Sequence, residues 1–177
     1  YVTIGTIGDM VPLLNENRAI VKAGLKLINA DAKIGICALK KSTNSKAEHF
    51  SATDVAFQIC PRINAAGRMD TANLAVDLLT CEDNEIAEYK AEQLNLENTH
   101  RHEVEEKIDK DIAEIMANDR AYQTDRVIVV AGHNYHKGVI GICAAHLVEL
   151  YSKPAIVIGI DDEENATGSA RSIDGFN

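Results

Sequence analysis

No Cys-x-x-Cys pair occurs among the four cysteines, Cys37, Cys60, Cys81 and Cys143, which stand far apart along the chain. That absence argues against a zinc knuckle and a dithiol redox motif, and leaves reduced, mostly buried thiols of a cytoplasmic protein as the expectation. No apolar run approaches the roughly 18 residues that a membrane-spanning helix requires. Nor does a basic flank, apolar stretch and small-residue cleavage site open the chain, as a signal peptide would. Tyr1-Val2-Thr3-Ile4-Gly5 has no initiator methionine and reads as the middle of a β-strand, so a piece of a longer polypeptide is expected. With 177 residues, 46% of them hydrophobic, the chain can bury one compact core, or a small core plus part of another.

A basic surface is missing too. The formal net charge of -9 would by itself discourage nucleic-acid binding, because neutralising phosphates normally takes lysine and arginine. The excess is local, however: 13 acidic and 4 basic side chains fall between Glu82 and Asp119, and the rest of the chain is balanced at 14 of each sign. The acidity therefore belongs to one segment.

Patterning supplies the elements. Residues 17–28 carry apolar side chains at helical spacing and meet Asn29, a helix stop; a short helix over 32–39 follows, then a polar and basic loop from Lys40 to Lys46. Val55 to Cys60 is apolar and ends at Pro61, and residues 71–79 predict an amphipathic helix with Leu74, Leu78 and Leu79 on one side. From Asp83 to Asn118 there is neither proline nor glycine, and Val104, Ile108, Ile112 and Ile115 mark one face of one long acidic helix, with 95–99 as the place where it could break. Beyond it, 126–131 and 154–160 are β-rich around a helical 139–151, a βαβ unit with parallel strands, and 166–173 predicts a third strand. The fold class is α/β.

Several short constellations could carry chemistry. Asp9, in Gly5-Thr6-Ile7-Gly8-Asp9-Met10-Val11-Pro12-Leu13, is read at the end of an apolar strand, where it could bind a hard divalent metal or merely cap a turn. Arg62, Asn64 and Arg68 fall in Pro61-Arg62-Ile63-Asn64-Ala65-Ala66-Gly67-Arg68, read as a loop in which two guanidinium groups and an amide converge on phosphate, or as solvated arginines at a helix junction. His136 and Lys137 precede Gly138-Val139-Ile140-Gly141 at the start of a helix, a position that favours an anion. His133 and His136 lack an evident third metal ligand, and His100 and His102, two apart within a helix, point to different faces and are assigned no metal. Ser169 and Arg171, in Gly168-Ser169-Ala170-Arg171-Ser172, form either a phosphate clamp or an ordinary polar strand.

Taken in order and at these separations, the four motifs resemble the RecJ branch of the DHH phosphoesterase superfamily, over essentially the whole chain. The resemblance implies a C-terminal part of a DHH domain with its connector over 1–81, a long interdomain helix over 82–120 and a partial DHHA1 nucleic-acid-binding domain over 121–177. It implies a 5′ to 3′ exonuclease that hydrolyses single-stranded DNA in repair and recombination, using two Mn2+ (or Mg2+) ions, with single-stranded DNA, a single-strand-binding protein and a recombination helicase as partners and no membrane. Asp9 then matches a metal-binding catalytic carboxylate; Arg62, Asn64, Arg68, Lys137, Ser169 and Arg171 match positions that meet DNA, and His136 matches one that either meets DNA or serves domain structure.

The departures are plain. No Asp-x-Asp motif precedes Asp9, and neither an Asp-His-His triplet nor a Gly-Gly-His motif occurs, so most of the metal ligands are lacking and the chain alone is expected to be inactive. Gly8 stands where the family often has alanine. Two rivals share the resemblance: a hydrolase of short oligonucleotides or nucleotides, and a non-catalytic replication scaffold.

Overall fold

The computed structural model describes residues 1–30, 32–69 and 71–176, with residue 123 described in its backbone only. It divides into two compact units, one ending at Thr99 and the other beginning at His100.

The first unit is helical. Its opening segment is not a strand: Val2–Gly8 forms helix α1, followed by α2 over Asn15–Ala30. The β-branched residues suggested a strand, but Thr3, Ile4 and Ile7 recur at helical spacing and are all buried, so packing overrides propensity. Gly24 of α2 lets the two helices approach, since a Cβ there would lie 1.7 Å from Thr3 Oγ1. Helix α2 ends at Ala30, next to the Asn29 read as its stop. The Asn29 side chain brackets Phe50, donating from Nδ2 to the Phe50 carbonyl (2.9 Å) and accepting the Phe50 N–H (2.8 Å).

Helix α3 spans Ile34–Ser42, extending into the segment expected as a loop. The short α4, Ala52–Asp54, begins with a capping box between Ser51 and Asp54, whose hydrogen bonds hold the Asp54 carboxyl below its ordinary range. A π-helical segment, Val55–Ile59, then runs directly into α5, Cys60–Met69. The proline-led peptide is therefore helix, not loop. The Cys60 N–H reaches back five residues to Val55, and the next residue, Pro61, has no N–H to give. The wide turn thus admits a proline without ending the helix.

Helix α6, Asn73–Leu79, packs on α3 at Gly35, where a Cβ would meet the Leu78 carbonyl oxygen at 2.1 Å. Helix α7 runs unbroken over Asn84–Asn118, and its early residues Ala87, Ala91 and Leu94 join Leu39, Val55, Ile59 and Leu78 in the core of the first unit. The single long helix read from the sequence is therefore found, continuous through 95–99 where it could have broken; Asn95 stays helical and accepts a hydrogen bond from Arg62.

The second unit holds the latter half of α7, the short α8 (Ala121–Thr124), β1 (Ile128–His133), α9 (Ile140–Tyr151), β2 (Ala155–Ile160) and β3 (Ala166–Arg171). The sheet order is β1-β2-β3, with β1 and β2 parallel and β3 antiparallel to β2, so the βαβ unit is as the sequence predicted. Ile128 and Val130 alternate with exposed neighbours and bury with Val139, Ile140, Cys143, Ala144 and Val157 beneath α9. Among the described residues, no helix is long and apolar enough to cross a membrane.

The glycine contacts make a paired prediction for urea unfolding. Gly35→Ala drives a methyl into an immovable carbonyl and should destabilise by about 1–3 kcal/mol. Gly5→Ala, on α1 with nothing among the described residues within 4 Å of the new Cβ, should stabilise by about 0.5–1 kcal/mol through helix propensity. A stabilising Gly35→Ala would contradict the described α3–α6 contact.

Candidate nucleic-acid interface

Asp9 caps the C-terminal end of α1, its backbone N–H on the Gly5 carbonyl (2.9 Å) and its side chain exposed. Helix dipoles disfavour an anion at that end, so the placement is not one that stability selects. Asp9 and Asn64 line a single cleft of about 240 Å³, walled by Ile4, Gly8, Cys60 and Ile63. Gly8 keeps the wall thin, because a Cβ there would lie 3.1 Å from Cys60 Sγ. Burial pushes the Cys60 thiol up, so it remains a neutral wall rather than a reactive thiolate.

Because the second motif is helical, its polar groups do not all converge. Asn64 and Arg68 are four apart and share a face of α5, both exposed; Arg62 lies on another face. Arg62 donates from Nε to Asn95 Oδ1 (3.0 Å) and from a terminal nitrogen to the Gln58 carbonyl (2.6 Å), which ties α5 to the first half of α7. Its half-burial lowers the guanidinium pKa, with Glu92 opposing that shift.

In the second unit the two later motifs meet. His136 organises the turn between β1 and α9: its Nδ1 accepts the Gly138 N–H (3.1 Å), and its carbonyl accepts from Val139 (2.9 Å) and Ile140 (3.1 Å). Lys137 beside it is exposed. Gly141, in the first turn of α9, faces β3 so closely that a Cβ would lie 2.9 Å from Ser169 Oγ and 3.1 Å from a terminal nitrogen of Arg171. Arg171 is held at the Ala170 carbonyl (2.7 Å) and beside Ser169 Oγ (3.3 Å). A hydroxyl, a guanidinium and the beginning of a helix thus adjoin over a residue without a side chain, an arrangement suited to phosphate oxygens.

A cleft of about 510 Å³ lies between the β1–α9 turn and the latter half of α7, lined among others by Lys107, Lys110, Asp111, His133, Tyr135 and His136. Tyr135 donates its hydroxyl to Asp111, and burial together with that bond raises its pKa, keeping the phenol neutral. Neither this tyrosine nor the group Glu105, Asp109 and His146 stood out in the sequence. The i, i+4 spacing of the two carboxylates was visible, but their histidine comes from a helix more than thirty positions on. Among the described residues His133 and His136 belong to no metal-ligating group.

Residues 124–177 fit the model of the DHHA1 domain. The single-stranded-DNA-specific exonuclease RecJ of Bacillus subtilis (strain 168) is 41% identical over 98% of this chain, and the match covers 22% of that protein. Two crystal structures of RecJ from Thermus thermophilus, one in complex with Mn2+ and one with Mg2+, each share 31% identity over 99% of the chain, with TM-scores of 0.83 and 0.82 and coverage of 25% and 26% of the solved chains. The chain spans about a quarter of the length of these relatives. With a DHHA1 domain at one end and this likeness of sequence and fold running throughout, the chain belongs to the RecJ family.

Proposed function

We propose that this chain is part of a divalent-metal-dependent exonuclease that digests single-stranded DNA from the 5′ end in repair and recombination. The observation that carries the reading is the cleft that Asp9 and Asn64 line together. A carboxylate is a natural ligand for Mn2+ or Mg2+, and an amide beside it can donate to a phosphate oxygen. The named relatives support the reading: they are single-strand-specific exonucleases, and the solved ones hold those ions.

In this reading residues 1–81 belong to a DHH domain, 82–120 connect it, and 121–177 belong to the DHHA1 domain. Asp9 would hold one cation. Two such ions, when bound, would supply activation of a water and charge to stabilise the departing oxygen of the phosphodiester. The protein's own groups orient the strand. Asn64 and Arg68 do so from α5, together with the guanidinium nitrogen of Arg62 not committed to Asn95 and Gln58. His136, Lys137, Ser169 and Arg171 grip phosphates at the start of α9. Charge is thereby supplied locally, although the whole chain is acidic. A single-strand-binding protein and a helicase that exposes the strand are the partners such digestion calls for, in the cytoplasm.

Asp9 is one ligand where two ions need several, so the chain incubated with labelled single-stranded DNA and manganese should leave the strand intact; progressive shortening would refute this. In the complete protein that carries the segment, Asp9→Asn should lower kcat by at least about a hundredfold, judged against the 10–100-fold typical of losing a mere supporting residue. Unchanged turnover would remove Asp9 from the metal centre.

A separate expectation concerns the clamp. Arg171→Ala should weaken single-stranded DNA binding and reduce the slope of log affinity against log salt by about 0.7, the value for one phosphate contact. Fluorescence anisotropy of the complete protein across a salt series measures it, and an unaltered slope would place Arg171 off the strand.

A further inference from the structure

Arg62 of α5 is half-buried, and hydrogen bonds within the first unit hold its guanidinium. Its Nε donates to Asn95 Oδ1 of α7 (3.0 Å), and a terminal nitrogen donates to the Gln58 carbonyl (2.6 Å). Both acceptors are uncharged. Among the described residues no carboxylate forms an ion pair with Arg62, and its other terminal nitrogen has no partner. Glu92, three residues before Asn95 on α7, is exposed and acts on the guanidinium through space without bonding to it. Asp54, the acid that precedes Arg62 on the same continuous stretch of helix, is taken up by Ser51 and Gln58.

Stability alone does not account for that choice of partners. Burial disfavours the charged form, and the guanidinium pKa is lowered accordingly. An aspartate at position 95 has the shape of asparagine and would answer with a charge-assisted bond, about twice as strong as a neutral one. Asparagine forgoes that gain and preserves something else: the fork is fixed in place, yet its positive charge is not cancelled. A cation presented in this way is pre-organised for an anion from outside the chain.

We infer, on the footing of the single-stranded-DNA reading above, that Asn95 is a positioning residue, which aims the Arg62 guanidinium at a phosphate of the bound strand through a neutral hydrogen bond that leaves its charge whole. The first half of α7 thereby takes part in strand binding, although its own charged side chains are mainly acidic.

Asn95→Asp in the complete protein tests this, because it keeps the bond to Arg62 and cancels the charge. Its urea midpoint should be no lower than that of the unaltered protein; a fall would contradict the Arg62–Asn95 contact itself. Anisotropy with a labelled single-stranded oligonucleotide should show affinity weakened by about tenfold or more, and a slope of log affinity against log salt reduced by about 0.7. In turnover, KM for the strand should rise while kcat is kept, as when binding common to ground and transition states is lost. A merely structural asparagine would move none of these binding readouts, and unchanged affinity or slope would overturn the inference. Asn95→Ala loosens the fork without adding charge, so it should weaken binding less and keep the slope; an equal fall in slope would count against the role of charge. In an Arg62→Ala background, Asn95→Asp should have little further effect, and a full effect there would mean that the new carboxylate repels the strand directly, which also overturns the inference. An unaltered protein without affinity for single-stranded DNA would sink the exonuclease reading and this inference with it, whereas normal binding by Asn95→Asp would sink this inference alone.

Discussion

The second unit depends on one close approach of backbone to ring. Gly132 and Gly159 are register partners on the parallel strands β1 and β2. Tyr135 turns back across this pair. A Cβ at Gly132 would lie 2.1 Å from its ring, and one at Gly159 would lie 2.4 Å from its carbonyl oxygen. Side chains at those two positions would push the turn away from the strand ends. With the turn would go His136, whose carbonyl and imidazole arrange the entry into α9, and then the seating of Gly141 beneath Ser169 and Arg171. Asn134 completes the constraint with a positive φ of 60°, a conformation asparagine tolerates better than most residues, while its N–H extends the ladder to Ile160. The face proposed to bind phosphate is therefore set by residues that need never touch one.

Much of this was legible in the sequence where a single periodicity governed a long stretch. The α7 periodicity and the β-rich runs at β1 and β2 predicted their elements closely, because each holds over a whole stretch. Two short segments misled for opposite reasons. Val2–Gly8 has strand propensity but helical burial, and only contact with α2 and the π segment reveals which prevails. Pro61 and Gly67 look like boundaries, yet one is absorbed by a π turn and the other, among the described residues, has only the Ala72 Cβ nearby, at 3.8 Å. Reading that peptide as a loop put Arg62, Asn64 and Arg68 in one place; as a helix it puts Arg62 on a different side from the other two.

The candidate site followed the same rule. Asp9 with Asn64, lining one cleft, and Gly141 with Ser169 and Arg171, in close approach, were separate words in the sequence that the fold brings together, one group in each unit. Spacing could not reveal Glu105, Asp109 and His146, because their meeting depends on how α9 lies along α7 rather than on any local pattern. Arg62 shows the converse. Its residue type suggested a free cation, while its two internal hydrogen bonds make it part of the scaffold that presents its neighbours.

The π segment has a further bearing on how such chains can vary. It stores one residue of slack immediately upstream of α5, and one residue on an α-helix corresponds to about 100° of rotation. Deleting a single amino acid between Val55 and Ile59 would let the coil tighten to ordinary α geometry while the helix persisted. Everything after it would then swivel by more than a quarter turn, carrying Asn64 out of alignment with Asp9. Length in this short stretch acts as a dial on the neighbouring cleft, one that a comparison by residue identity alone would overlook.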